Sequence, residues 1–265
     1  MFSFRYKDLD FSHKLDRASS PTDEYWKHMH PFNELIYFIS GNVTYTVESE
    51  NRQLKPGDLI FIRPGKFHFA TVDKGVNYER YVFKFPDSIL PSSLIQKMNS
   101  IPSFCSLANV PDNMFLILVG LLGLGNFDEE EKRILSICET LKFLVYLSKF
   151  PADDNSTKDE ITSQITLYIE NHLQDKLTLK EMASALSYSE SYLISTFRKK
   201  MHCSIMQYVR SKKCILAYKM IRGGSKPHSV AEYLGFDEYS TFYRSYKAVL
   251  GFSPGEKNKE PQNMR

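Results

Sequence analysis

Thr178-Leu-Lys-Glu-Met-Ala-Ser-Ala-Leu-Ser-Tyr188 and Ser229-Val-Ala-Glu-Tyr-Leu-Gly-Phe236 are the two stretches that decide the fold of the C-terminal half. Each opens with a hydroxyl residue followed three positions later by Glu. At this capping-box spacing, hydroxyl and carboxylate each satisfy an amide that the first helical turn leaves unpaired. Behind each box comes a short apolar helix and a turn, with Ala183, Leu186 and Tyr188 spaced as Ala231, Leu234 and Phe236 are. The next segments place Leu193 and Phe197, or Phe242 and Tyr246, at i,i+4, so that each pair lies on one helical face. The chain therefore carries one unit, helix, tight turn, helix, twice.

That unit lays its second helix in the DNA major groove, where side chains opposite the buried face reach base edges. In the first copy that face holds Ser191, Ser195 and Arg198, flanked by Lys199; in the second it holds Ser240, Arg244 and Lys247. Arg suits guanine bidentately and Ser pairs with several bases, while Lys199, Lys200, Lys212, Lys213 and Arg222 are expected at phosphates. Ser204 to Arg222 is long enough for one helix that fixes the two units together.

The residues from about Ile165 to Pro254 resemble the AraC/XylS family of bacterial transcription regulators. The resemblance rests on Tyr168-Ile-Glu-Asn-His172, Leu177-Thr-Leu-Lys-Glu-Met-Ala183, Tyr192-Leu193, Phe197-Arg-Lys199, Gln207-Tyr208, Ala217, Val230-Ala231, Leu234-Gly-Phe236, Phe242, Tyr246-Lys247 and Gly251-Phe-Ser-Pro254. Two positions depart from it: His202 stands where a helix-ending Gly is usual, and Glu256-Lys-Asn258 replaces an aromatic-Arg pair. His tolerates the left-handed backbone better than most residues, so the first departure is mild. The resemblance implies a double-stranded DNA operator, a small-molecule effector, homodimerisation and, by contact with RNA polymerase, activation of transcription.

Upstream the period is that of strands. Apolar residues alternate through Val43-Thr-Tyr-Thr-Val47, Leu59-Ile-Phe-Ile62 is a continuous apolar run, and Tyr78 to Phe85 repeats the pattern between closely spaced turn signals. The expected architecture is multidomain, β then α: a cupin-like β-barrel over 1–85, a helical dimerisation segment over 86–150, a polar linker over 151–160, and an all-α tandem helix-turn-helix domain over 161–258. Within 86–150, Asp128-Glu-Glu-Glu131 suits a helix N-terminus, an apolar stripe runs from Ile134 to Leu147, and Met114 to Leu124 is expected to supply a partner surface.

His28-x-His30, Glu34 and His68 have the layout of cupin motifs. His28 and His30 share a strand face, and a barrel brings Glu34 and His68 to them. Three readings are open: polar residues bonded across the barrel mouth, a metal site, or an effector pocket in which Trp26 stacks on a sugar or on a flat ring and His28, His30, Glu34, Arg63 and His68 orient it. Arg63 and Val72 stand where the metal-binding form usually has Pro and Asn, and sensors of the resembled family commonly bind organic effectors. The effector pocket is therefore preferred, with no metal, no cofactor and no catalytic residue expected. The alternatives are a metal-dependent cupin enzyme fused to a DNA-binding module, and a ligandless regulator controlled by a protein partner.

Composition bounds these readings. With 265 residues, of which 42% are apolar, the chain can fill more than one core, which excludes a disordered or fibrous protein. Its longest apolar stretch is about half of the roughly 20 residues a membrane-spanning helix needs, and the four cysteines never form C-x-x-C, so a cytoplasmic protein without membrane association is expected. The net charge of +3 divides into +6 over 156–265 and −3 over the rest, the asymmetry of a polyanion-binding half joined to something else.

Overall fold

Leu35 and Ile36, adjacent in sequence, lie in different hydrophobic cores, and the same holds for Leu59 and Ile60 and for Val82 and Phe83. A strand buried on both faces needs no polar alternation, which is why Leu59 to Ile62 reads as an unbroken apolar run. The computed structural model describes residues 3–6, 9–18, 27–106, 126–149 and 157–256. Its first part holds ten strands: β1 (Ser3–Tyr6), β2 (Leu9–Arg17), β3 (Asn33–Ser40), β4 (Val43–Val47), β5 (Glu50–Gln53), β6 (Asp58–Ile62), β7 (His68–Val72), β8 (Asn77–Phe85), β9 (Phe104–Ser106) and β10 (Thr157–Lys158). They form two antiparallel sheets, β1-β2-β8-β3-β6-β9 and β10-β5-β4-β7, rather than the closed barrel of the sequence expectation.

One core fills the space between the sheets, with Ile36, Phe38, Val43, Tyr45, Ile60 and Tyr78. A second lies on the other face of the larger sheet, where α1 (Ser92–Lys97) and α2 (Glu129–Leu147) cover Phe11, Leu35, Phe61 and Phe83 with Leu94, Phe143, Leu144 and Leu147. The acidic start of α2 is a full capping box between Asp128 and Glu131. The inward stripe of α2 is Ser136, Thr140, Phe143, Leu144 and Leu147, so Ile134 and Val145 of the expected apolar stripe point outward. Met114 to Leu124 lies outside the described residues.

The C-terminal part is helical: α3 (Glu160–Asn171), α4 (Leu179–Leu186), α5 (Glu190–Met201), α6 (Ile205–Arg222), α7 (Pro227–Tyr233) and α8 (Tyr239–Leu250). The pairs α4-α5 and α7-α8 are the two helix-turn-helix units, and α6 is the single helix expected between them. Leu193, Phe197, Phe242 and Tyr246 share one buried cluster. Thr178 and Glu181 form the expected capping box. Ser229 and Glu232 do not: α7 starts earlier, at Pro227, whose fixed φ suits the first helical position, so Ser229 lies inside the helix. His202 ends α5 at φ 55°, ψ 18°, the left-handed cap its position requires.

Two further features alter the expected plan. Thr157 and Lys158, inside the stretch read as a linker, pair with Asn51 and Glu50 as an edge strand. The helical cluster also takes in Met29, Phe67 and Phe69, so the third core joins the sheets to the helices. Phe67 and Phe69 supply that core while His68, between them, faces inward.

Candidate nucleic-acid interface and sensor site

Helices α5 and α8 bury one face and expose the other by the 3.6-residue period. Ser191, Ser195, Arg198 and Lys199 are exposed on α5, and Ser240, Arg244 and Lys247 are exposed on α8, opposite Leu193, Phe197, Phe242 and Tyr246. Two of the lysines expected at phosphates are elsewhere. Lys213 donates to the main-chain oxygens of Asp175 (2.8 Å) and Leu234 (2.6 Å), holding the start of one unit to the turn of the other. Lys212 points the opposite way and is buried against the sheets.

Lys212 belongs to a junction that sequence spacing did not reveal. Glu48, in the turn between β4 and β5, accepts from Tyr208 Oη (2.5 Å), Lys212 Nζ (2.8 Å) and the Phe67 amide (3.0 Å), while its own amide donates to the Phe67 carbonyl (2.8 Å). Its φ of 54° lies in the left-handed region, a conformation costing about 1–3 kcal/mol that persists only where surroundings over-determine it. Lys212 also reaches Glu170 (2.9 Å), and Lys66 reaches the same oxygen (2.7 Å). Burial would raise the Glu170 carboxyl, but Lys212 and Lys66 outweigh it and hold it at about 2. Glu48 and Lys212 are 164 positions apart, so no local pattern marks them as partners.

The sensor cluster assembles in part. His28 and His68 pair backbone to backbone in both directions, and His30 sits two residues along on the same face. His30 Nε2 is 2.8 Å and His68 Nε2 is 3.2 Å from Glu34 Oε2; Lys84 Nζ is 3.7 Å from Glu34 Oε1. His30, Glu34 and His68 are 1%, 5% and 0% exposed, so this is a packed interior cluster with only His28 half-exposed. Burial pushes His30 down to about 4 against the pull of Glu34, and Lys84 with the two histidines holds Glu34 well below the usual carboxylate range although burial opposes them. Arg63 is not part of the cluster: it donates to the carbonyls of Met98 (3.4 Å) and Asn99 (3.0 Å) under α1. Trp26 lies outside the described residues.

An opening lies at the junction. A cavity of about 700 Å³ has Lys27, His28, Met29 and Phe67 on the sheet side and Tyr208, Arg210 and Arg244 among the residues on the helical side.

Residues 14–131 match the model of the AraC-like ligand binding domain, and residues 182–260 match that of a helix-turn-helix domain. The chain belongs to the AraC family of transcription regulators. Among the proteins it is similar to, the probable transcriptional regulator LumQ of Photobacterium leiognathi is 27% identical over 230 residues, covering 86% of this chain and 89% of its own. The Msm operon regulatory protein of Streptococcus mutans is 22% identical over 241 residues, covering 87% and 86%. The crystal structure of ToxT from Vibrio cholerae aligns with 94% of this chain and 96% of its own at a TM-score of 0.42 and 13% identity. As an AraC-family member the chain is a DNA-binding transcription regulator with a ligand-binding domain, and among the described residues no helix is long and apolar enough to cross a membrane.

Proposed function

We propose that this regulator is a transcription activator, not an enzyme, that acts in the cytoplasm, grips its double-stranded operator as a homodimer, contacts RNA polymerase, and answers to a small-molecule effector bound between sensor and DNA-binding helices. The cavity carries this reading. Among the described residues its wall includes Lys27, Arg210 and Arg244 and no carboxylate, alongside apolar Met29, Phe67 and Val249. Such a lining favours an anionic effector with an apolar body over a neutral sugar. It also favours the junction over the interior cluster as the effector's place; of the expected pocket residues that are described, His28 is the one on this wall.

Arg244 lies both on the exposed face of α8 and on the cavity wall. An anion that takes its guanidinium competes with a guanine for it, so this effector weakens operator binding. By linkage the operator weakens effector binding equally, typically by about 1–3 kcal/mol. The decisive experiment selects operator sequences from a random library with the full chain, with and without a panel of carboxylates, phosphates and sugars. Loss of operator affinity with one class of anion supports the reading; a common sequence bound equally under every condition removes the effector and leaves the DNA-binding regulator.

For homodimerisation the supporting surface is the outward side of α2, where Ile134 (52% exposed), Val145 (49%) and Cys138 remain in solvent after the inward stripe is buried. Sedimentation of the wild type against Val145→Glu at micromolar concentration tests it: the variant becomes monomeric if α2 pairs two copies and is unchanged if it does not.

A further inference from the structure

Both buried histidines of the interior cluster spend Nδ1 on a main-chain oxygen: His30 on Phe32 (3.1 Å) and His68 on Lys66 (2.9 Å). A carbonyl only accepts, so Nδ1 carries the proton of each neutral ring and Nε2 presents a lone pair. The two Nε2 atoms converge on one carboxylate oxygen, Glu34 Oε2, at 2.8 and 3.2 Å, while Lys84 lies nearest the other oxygen. Lone pairs gathered at 3 Å repel unless they share a cation. A second proton on His30 would settle one contact only, because His68 Nε2, fully buried, makes no hydrogen bond despite its 3.2 Å separation.

A ligand atom from each of His28, His30, Glu34 and His68 lies within 4.8 Å of every other. Metal-ligand bonds of about 2.0–2.2 Å place ligand atoms roughly 3–4 Å apart; His30 and His68 lie 2.8 and 3.2 Å from Glu34, and no pair of the four exceeds 4.8 Å. A ligating His that donates its other ring N–H to a main-chain carbonyl is the usual outer arrangement of a metal site. We propose that His28, His30, Glu34 and His68 bind one divalent first-row transition metal ion, a class suited by three imidazoles and a carboxylate. The half-exposed His28 lies on the cavity wall and gives the ion its way in.

The site is one residue from the junction. The Lys66 carbonyl that orients His68 belongs to the residue whose ammonium holds Glu170, and Phe67, between them, hydrogen-bonds Glu48 in both directions. An ion that fixes His68 therefore stiffens the segment the DNA-binding helices lean on. This consequence rests on the reading of the junction as the control point; the binding of the ion does not.

The full chain, stripped with a chelator and reloaded with Zn²⁺ or Co²⁺, tests the site. The expected results are one equivalent per chain after gel filtration, a raised melting temperature, and X-ray absorption of the zinc-loaded wild type showing imidazole scattering. In His68→Ala the affinity falls at least about tenfold, whereas His13→Ala, on β2 and bonded to Glu79, retains it. Substoichiometric metal in the wild type, absorption without imidazole, or undiminished binding by His68→Ala overturns the proposal. The wild-type measurements decide it even if the variant does not fold. Operator binding by the stripped protein is scored separately, so a chain that binds DNA and no metal overturns this inference alone.

Discussion

Lys212 is a lysine on a basic, DNA-binding half that never reaches DNA in this arrangement: it is 6% exposed and bonded to two carboxylates. Burial tends to discharge such an amine, but Glu48 and Glu170 outweigh it and raise its pKa instead. Removing one partner of a buried ion pair leaves the other uncompensated, so Lys212→Met is expected to lower unfolding free energy by about 3–5 kcal/mol. Urea denaturation reads this directly; a variant with wild-type stability and weaker DNA binding would return Lys212 to the phosphates. From the sequence Lys212 and Lys199 are the same residue on the same kind of helix. What separates them is a glutamate in a strand turn far up the chain, which periodicity cannot register. His202 was legible for the opposite reason, since its demand is made by its own backbone.

At the scale of the element, caps and stripes follow local rules and were largely readable, with one instructive exception. Thr178 bonds the Glu181 amide, whereas Ser229 has the same spacing to Glu232 but sits within a helix already begun at Pro227. Thr178→Ala should therefore destabilise the chain by about 0.5–2 kcal/mol, and Ser229→Ala should stay within about 0.5 kcal/mol of wild type. Thermal melts of the two variants side by side check both, and equal losses would restore the second box. On the exposed face of α8, Arg244→Ala is expected to cost about 1–3 kcal/mol of operator affinity and relax one base preference, while Lys247→Ala weakens all sequences alike and lowers the salt slope by about one. Unchanged affinity and preference for the Arg244 variant would remove it from base readout. The strands were legible as strands but not as two open sheets, because their order depends on contacts between segments that share no pattern.

At the scale of the whole molecule, the junction is ionic and so answers to pH. The folded Glu170 carboxyl titrates at about 2, against an ordinary value of 4.5. An acid whose pKa is depressed by folding contributes stability that is full above its unfolded value and is lost as pH falls through its folded one. Stability should therefore decline between about pH 4.5 and 2, and Glu170→Gln should flatten that part of the profile in chemical denaturation. An identical slope in the variant would mean that Glu170 contributes nothing across the window. The charge division at residue 156 was visible in the sequence; that lysines of the basic half are used to hold the acidic half was not.

Asp159 gives this arrangement a practical edge. Its amide donates to the Ser49 carbonyl among the sheets, and its side chain caps α3 among the helices, immediately after the strand that pairs with β5. Anyone wishing to graft this sensor onto another regulator's DNA-binding half loses contacts in both parts by cutting at Asp159, because that residue is structural on both sides. A working chimera has to transplant Ser49, β10 and Asp159 as a set.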